Sequence, residues 1–196
     1  MLGNEIDILD GITVSEAGLS AASMGSAFRI YAEASGDFDH AAIRSMQTGI
    51  AVSNVSNSPA MVKLELYGLD GSSTGLMGTL IVPANGQVVR FLNQIQELAQ
   101  LPLPFHGVLR VSSSSPASVV GLRVRYNERN DFLITAVPTV NEAAAPGNAE
   151  FVFPHFADAG GYTTQFILFS GSAGQKSSGV LRLISQSGQA LNLALH

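Results

Sequence analysis

The feature that most constrains this chain is a period-2 alternation of apolar and polar residues, interrupted at short intervals by Gly, Pro, Asn or Ser. In MVKLELY (61–67), Val62, Leu64 and Leu66 alternate with Lys63, Glu65 and Tyr67. In SAFRIYA (26–32), Phe28, Ile30 and Ala32 alternate with Arg29 and Tyr31. Successive side chains of a strand point to opposite faces, so this pattern predicts strands with one buried and one wet face. The same character recurs at 48–54 (TGIAVSN), 78–83 (GTLIVP), 107–112 (GVLRVS), 117–126 (ASVVGLRVRY) and 131–138 (DFLITAVP). It returns at 162–169 (YTTQFILF), 179–184 (GVLRLI) and 190–195 (ALNLAL). Asp70-Gly71 and Pro83-Ala84-Asn85-Gly86 are turn signals between such runs. The spacing predicts an all-β antiparallel β-sandwich. One segment departs from it. Val88, Phe91, Leu92, Ile95 and Leu98 fall at helical spacing, and Leu101-Pro102-Leu103-Pro104 stops the run, which predicts one short crossover helix over 88–99.

Composition narrows the chemistry. Of 196 residues, 46% are hydrophobic and only 13% charged; soluble domains carry roughly 25% charged residues. Disorder needs low hydrophobicity with high charge, so the chain is expected to fold. It has no Cys, which excludes thiolate metal sites, a catalytic thiol and a disulfide framework. A net charge of −5 with ten Lys and Arg and no basic run argues against nucleic acid as a partner. No window approaches the roughly 18 apolar residues that span a bilayer, so no membrane insertion is expected. The first residues, MLGNEIDILD, lack the positive and apolar regions of a signal peptide.

The chain resembles itself. TGIAVSN (48–54) matches TQFILFS (164–170), and VKLELYGLDG (62–71) matches GVLRLISQSG (179–188), aligning Leu64 with Leu181, Leu66 with Leu183 and Gly71 with Gly188. Residues 141–149, NEAAAPGNA, have no apolar period and read as a linker. The expected organisation is N-terminal strands over 1–36, a complete repeat over 37–140, the linker, and the opening half of a second repeat over 150–196. SAFRIYAEASG (26–36) is similar to GVLRVSSSSPA (107–117) from the closing half of the unit. The N-terminal strands are therefore candidates to complete the C-terminal half-unit, in cis or in trans; the plainer alternative is a chain cut from a longer array.

The run from SAFRIYAEASG through LELYGLDGSSTGL, VPANGQVVRFLNQI and LRVRYNERNDFLITAVP to FPHFADAGGYTTQFILFSG resembles tandem repeats in large, poorly characterised surface or secreted proteins of bacteria. That resemblance implies immunoglobulin-like β-sandwich repeats, an extracellular or cell-surface location and no enzymatic activity. It carries over no catalytic or binding residue.

Five constellations are candidates for chemistry. Gly71-Ser72-Ser73-Thr74-Gly75 fits G-x-S-x-G, with Asp131 and His155 following in hydrolase order, but that nucleophile turn belongs between a strand and a helix. Gly171–Ser177 (GSAGQKS) misses the phosphate-loop spacing by one residue. Asp37, Asp39 and His40 offer too few oxygen ligands for a hard cation. Phe151, Phe153, His155, Phe156 and Tyr162 are the candidate aromatic seam between repeats, or a ligand site. Arg123, Arg125 and Arg129 are a candidate polar patch for carboxylates or sulfated sugars, with cross-strand ion pairing as the alternative. The sequence thus predicts a structural or adhesive module with no catalytic residues, no cofactor and no metal. Its expected partners are neighbouring repeats or copies of itself. A carbohydrate-binding module is the second reading, weakened by the absence of Trp.

Overall fold

The computed structural model describes residues 8–9, 12–13, 15, 17–18, 21–143, 151–157, 160–161, 164–169 and 180–191. A two-residue ladder of β1 (Ile8–Leu9) and β2 (Ile12–Thr13) precedes the main body. The body is an eight-stranded antiparallel sheet of β3 (Met24–Ala34), β4 (Met46–Asn54), β5 (Ala60–Gly68), β6 (Ser73–Val82), β7 (Gln87–Phe91), β8 (Phe105–Tyr126), β9 (Phe132–Val137) and β10 (Thr139–Asn141). A second small ladder, β11 (Leu183–Ile184) with β12 (Ala190–Leu191), follows.

β8 folds this sheet into two layers. Its first half lies between β3 (Ala27↔Ser112 to Ala34↔Phe105) and β5 (Val62↔Ser113 to Gly68↔Gly107). Its second half lies between β4 (Met46↔Arg125 to Asn54↔Ala117) and β9 (Gly121↔Val137 to Tyr126↔Phe132). Ser114, Ser115 and Pro116 take no ladder partner at the corner, which is where a strand tolerates a residue without an N–H. The first layer therefore runs β6-β5-β8-β3-β10 and the second β7-β4-β8-β9. The chain crosses between them again at Pro138, since β9 pairs in the second layer and β10 with β3 in the first.

The alternation reads directly into burial. Val62, Leu64 and Leu66 of β5 are at most 1% exposed, and they meet Phe28, Ile30, Leu109 and Val111 from their own layer and Ile50, Val52 and Val119 from the other. Each such side chain contributes about 1.5–3 kcal/mol by leaving water. Gly121 is the close approach that lets the layers meet: a Cβ there would stand 2.7 Å from Ile30 Cγ2. The architecture is the all-β antiparallel sandwich that the strand spacing predicts.

Three expectations are corrected. The helix over 88–99 does not form. Val88–Phe91 belong to β7, paired with β4, and are followed by two 3-10 turns, Leu92–Gln94 and Gln96–Leu98. Leu92, Ile95 and Leu98 are buried at i, i+3 spacing, which a three-residue turn satisfies as well as an α-helix, while the β4 edge captures the residues before them. β3, the N-terminal strand that the sequence offers as one candidate to complete the C-terminal half-unit, lies inside the first layer between β8 and β10. The boundary expected after residue 36 therefore falls inside a sandwich that spans 24–141. The strands expected at 162–169, 179–184 and 190–195 reduce, among the described residues, to the β11–β12 ladder.

Candidate functional site

The wet face of the first layer carries a continuous ladder of ion pairs. Register sets Glu65 of β5, Arg110 of β8 and Arg29 of β3 on one cross-strand row. Two guanidiniums side by side repel, and Glu142, immediately after β10, resolves the conflict. Its Oε1 accepts from both Arg29 Nε and Arg110 Nε at 2.9 Å, and its Oε2 accepts from Arg110 Nη2 at 3.0 Å. Arg110 Nη1 donates to Glu65 Oε2 at 3.0 Å, and Lys63 Nζ to Glu65 Oε1 at 2.8 Å. Burial pushes the Glu142 carboxyl up, but the hydrogen bonds and charges of Arg110 and Arg29 outweigh it and hold the group below the usual carboxylate range. The hydrogen bond from Lys63, joined by Arg110, holds Glu65 down against its own burial. The hydrogen bond to Glu142 raises the Arg110 pKa further above its already high ordinary value.

The predicted polar patch is absorbed into the same kind of pairing. Arg123 donates from Nε to Glu33, a residue only 6% exposed, and its Nη2 approaches Met46 Sδ at 2.8 Å. Arg125 Nη2 meets Glu128 Oε1 at 3.1 Å, and Arg129 Nε meets Asp131 Oδ2 at 2.9 Å. Each of the three arginines is paired with a carboxylate, and Glu128 also faces Arg44.

The predicted aromatic seam does not assemble among the described residues. Phe151 is 72% exposed, His155 is exposed and Phe156 half-buried. Phe153 stacks obliquely on Phe166, at 4.7 Å between centroids, rather than on another seam residue. Tyr162 lies outside the described residues, as does the Gly171–Ser177 loop. Ser73 sits in β6 opposite Tyr67, where its Oγ accepts from Gly75 N at 3.2 Å. Asp131 Oδ2 is taken by Asn127 Nδ2 and Arg129 Nε. Among the described residues no hydrogen bond joins Ser73, Asp131 and His155. His40 Nδ1 lies 2.8 Å from Asp37 Oδ1, a hydrogen bond that raises the imidazole's pKa, while Asp39 Oδ1 accepts from Asn93 Nδ2 at 2.5 Å. No group of three or more His, Cys, Asp or Glu able to hold a metal occurs among the described residues.

Two features escape the sequence reading. Phe38, in the loop after β3, packs against Phe91, Tyr126 and Phe132 at 5.8, 5.4 and 6.5 Å, covering one end of the second layer's outer face. Gly49 makes room there, since a Cβ would stand 2.7 Å from the Phe91 ring. The second feature is the free edge of β6. Among the described residues it pairs with β5 alone, and its sequence, STGLMGTLIV, contains no charge and no Pro. Met77 and Ile81 are 51% and 60% exposed, and Met61, opposite Ile81 on β5, is 56% exposed. The other edges are blunted. β10 has three residues, β7 has five and carries the exposed Arg90, and on β9 the Ile134 N–H is capped by Ser15 Oγ at 3.0 Å. The sequence signal for the β6 edge is the lack of any charge over 73–82, of which the alternation marks only 78–83 as strand.

No family model and no curated protein matches the sequence. Solved structures similar to part of it include two of different origin. The crystal structure of Thermotoga maritima 1070 covers 58% of this chain and 93% of its own, with a TM-score of 0.44 and 8% identity. The Anabaena sensory rhodopsin transducer covers 52% of this chain and 91% of its own, with a TM-score of 0.41 and 19% identity.

Proposed function

We propose that this chain is a structural or adhesive β-sandwich module that acts by protein–protein contact and carries no catalysis, working at the bacterial cell surface or outside the cell. The observation that supports this most is the contrast between its charged and uncharged surfaces. The ionisable side chains on the sheet face are spent on one another, in the ladder Lys63–Glu65–Arg110–Glu142–Arg29. The β6 edge, by contrast, leaves backbone donors and acceptors and an apolar fringe open among the described residues. Proteins normally protect such an edge with charge, Pro or a covering segment. An edge left bare fits a surface kept for another strand. The low charge and the Ser, Thr and Gly content support the extracellular placement, as does the resemblance to bacterial surface repeats. No helix among the described residues is long and apolar enough to cross a membrane.

The test is a panel of ester, amide and phosphoester substrates together with a glycan array, run on the purified full chain. The structural reading expects no saturable turnover and no saturable glycan binding. Turnover abolished by Ser73→Ala would overturn it in favour of a hydrolase. Glycan binding abolished by Arg125→Ala would overturn it in favour of a carbohydrate-binding module.

A further inference from the structure

We infer that the occupant of the β6 edge is the β6 edge of a second copy of this chain, paired antiparallel about a two-fold axis at Thr79. The inference rests on the structural reading above and names its partner.

The regular part of the edge is short and well defined. The β5–β6 register is continuous from Ala60↔Val82 to Glu65↔Met77, then shifts before Tyr67↔Ser73, with Gly75 at φ 79°. Outside the shift, Met77, Thr79 and Ile81 alternate on the wet face with Gly78 and Leu80 on the core face. This segment is close to self-complementary. A two-fold at Thr79 sets Thr79 against its own copy, Met77 against Ile81 of the second copy, and Ile81 against Met77 of the second copy. A two-fold contact has to match a patch to itself, and that is what this order of side chains does.

The neighbouring strand extends the match. Met61 lies beside Ile81, so the fringe of Met61, Ile81 and Met77 on one copy joins the same fringe on the other into one apolar band. Methionine side chains suit such a seam because they adapt to irregular gaps. Like charges opposed across strands would destabilise the pairing, and β6 has none to oppose. The nearest charges, Lys63 and Glu65, are one strand back and neutralise each other at 2.8 Å. On the core side, Ile95 packs against Gly78, where a Cβ would stand 2.8 Å from its Cγ2, so the 3-10 turns cover the inner face of β6 and leave its rim clear.

A single strand pair is smaller than a standard interface of roughly 1,600 Å². The dimer is therefore concentration-dependent and of the weak class.

The test is sedimentation equilibrium of the full chain over a concentration series, with Thr79→Lys, Thr79→Glu and their equimolar mixture. The wild type is expected to double its mass with concentration. Each single variant sets like charges face to face at the axis and is expected to remain monomeric. Because Thr79 lies opposite Lys63 on β5, the Thr79→Lys monomer is expected to melt slightly lower and the Thr79→Glu monomer no lower than the wild-type monomer, so loss of the dimer in Thr79→Glu is not loss of fold. The mixture is expected to recover the doubled mass, because the axis then holds Lys against Glu. Arg90→Glu, on the β7 edge, is expected to dimerise like the wild type. A wild type that stays monomeric throughout overturns the inference, as does a Thr79→Lys variant that still dimerises or a mixture that fails to recover. A monomer whose β6 amides resist hydrogen exchange assigns the edge to the same chain and also overturns it. None of these outcomes bears on turnover or glycan binding, so the dimer can fail while the structural reading stands, and the reverse.

Discussion

Residues 24–141 and residues 151–191 carry the same alternation, yet among the described residues only the first stretch forms a sandwich. LELY at 64–67 and LRLI at 181–184 are nearly the same pattern. In the first, Leu64 and Leu66 are at most 1% exposed; in the second, their counterparts Leu181 and Leu183 are 46% exposed and half-buried, respectively. The difference is neighbours. β5 has β6 on one side and β8 on the other, whereas among the described residues β11 has only β12. A two-stranded ladder is marginal in water, because nothing covers its apolar face. Alternation decides which face of a strand is apolar, and the rest of the fold must supply the cover.

Substitutions that break this contrast are ordered by how much cover each site has. Leu64→Ala leaves a cavity between two packed layers and is expected to cost about 2–5 kcal/mol in urea denaturation. Glu142→Gln removes the carboxylate shared by Arg29 and Arg110. The expected cost is about 2 kcal/mol, under the roughly 3–5 of a fully buried pair, because the Arg110 side chain keeps 26% of its surface in water. Acid acts on the same ladder. Glu65 and Glu142 have pKa values lowered below 4.5 by folding, so their contribution is full above that pH and is lost as pH falls through the lower folded values. The melting temperature of the sandwich is expected to drop more steeply below 4.5 in the wild type than in Glu142→Gln. At the bottom of the scale, Leu181→Ala is expected to change stability by less than about 0.5 kcal/mol. A large cost there would mean that 181–184 has a packed neighbour.

What the sequence made legible follows the same physics. β5 and the two halves of β8 are readable because each alternates against a single core. That the halves are one strand of 22 residues is not readable, since Ser112–Pro116 has the composition of a loop and only the layer corner explains its extended backbone. β7 is misread because i, i+3 spacing serves a 3-10 turn and a helix alike. Glu142 falls in a stretch with no period and reads as linker, yet its partners lie 113 and 32 residues away in the chain. A local pattern cannot report a contact of that separation. Ion pairing is one of two readings that the sequence leaves open for Arg123, and Glu33, its partner, sits on β3, outside the 37–140 unit that the sequence pattern delimits.

Native-state hydrogen exchange on the full chain tests the central contrast most directly. Amides of β3, β5 and β8 are expected to exchange only through global unfolding, while those of 164–169 and 180–191 exchange at rates independent of the stability of the sandwich. Equal protection in the two stretches, lost together in Leu64→Ala, would show that they fold as one unit and would contradict the account.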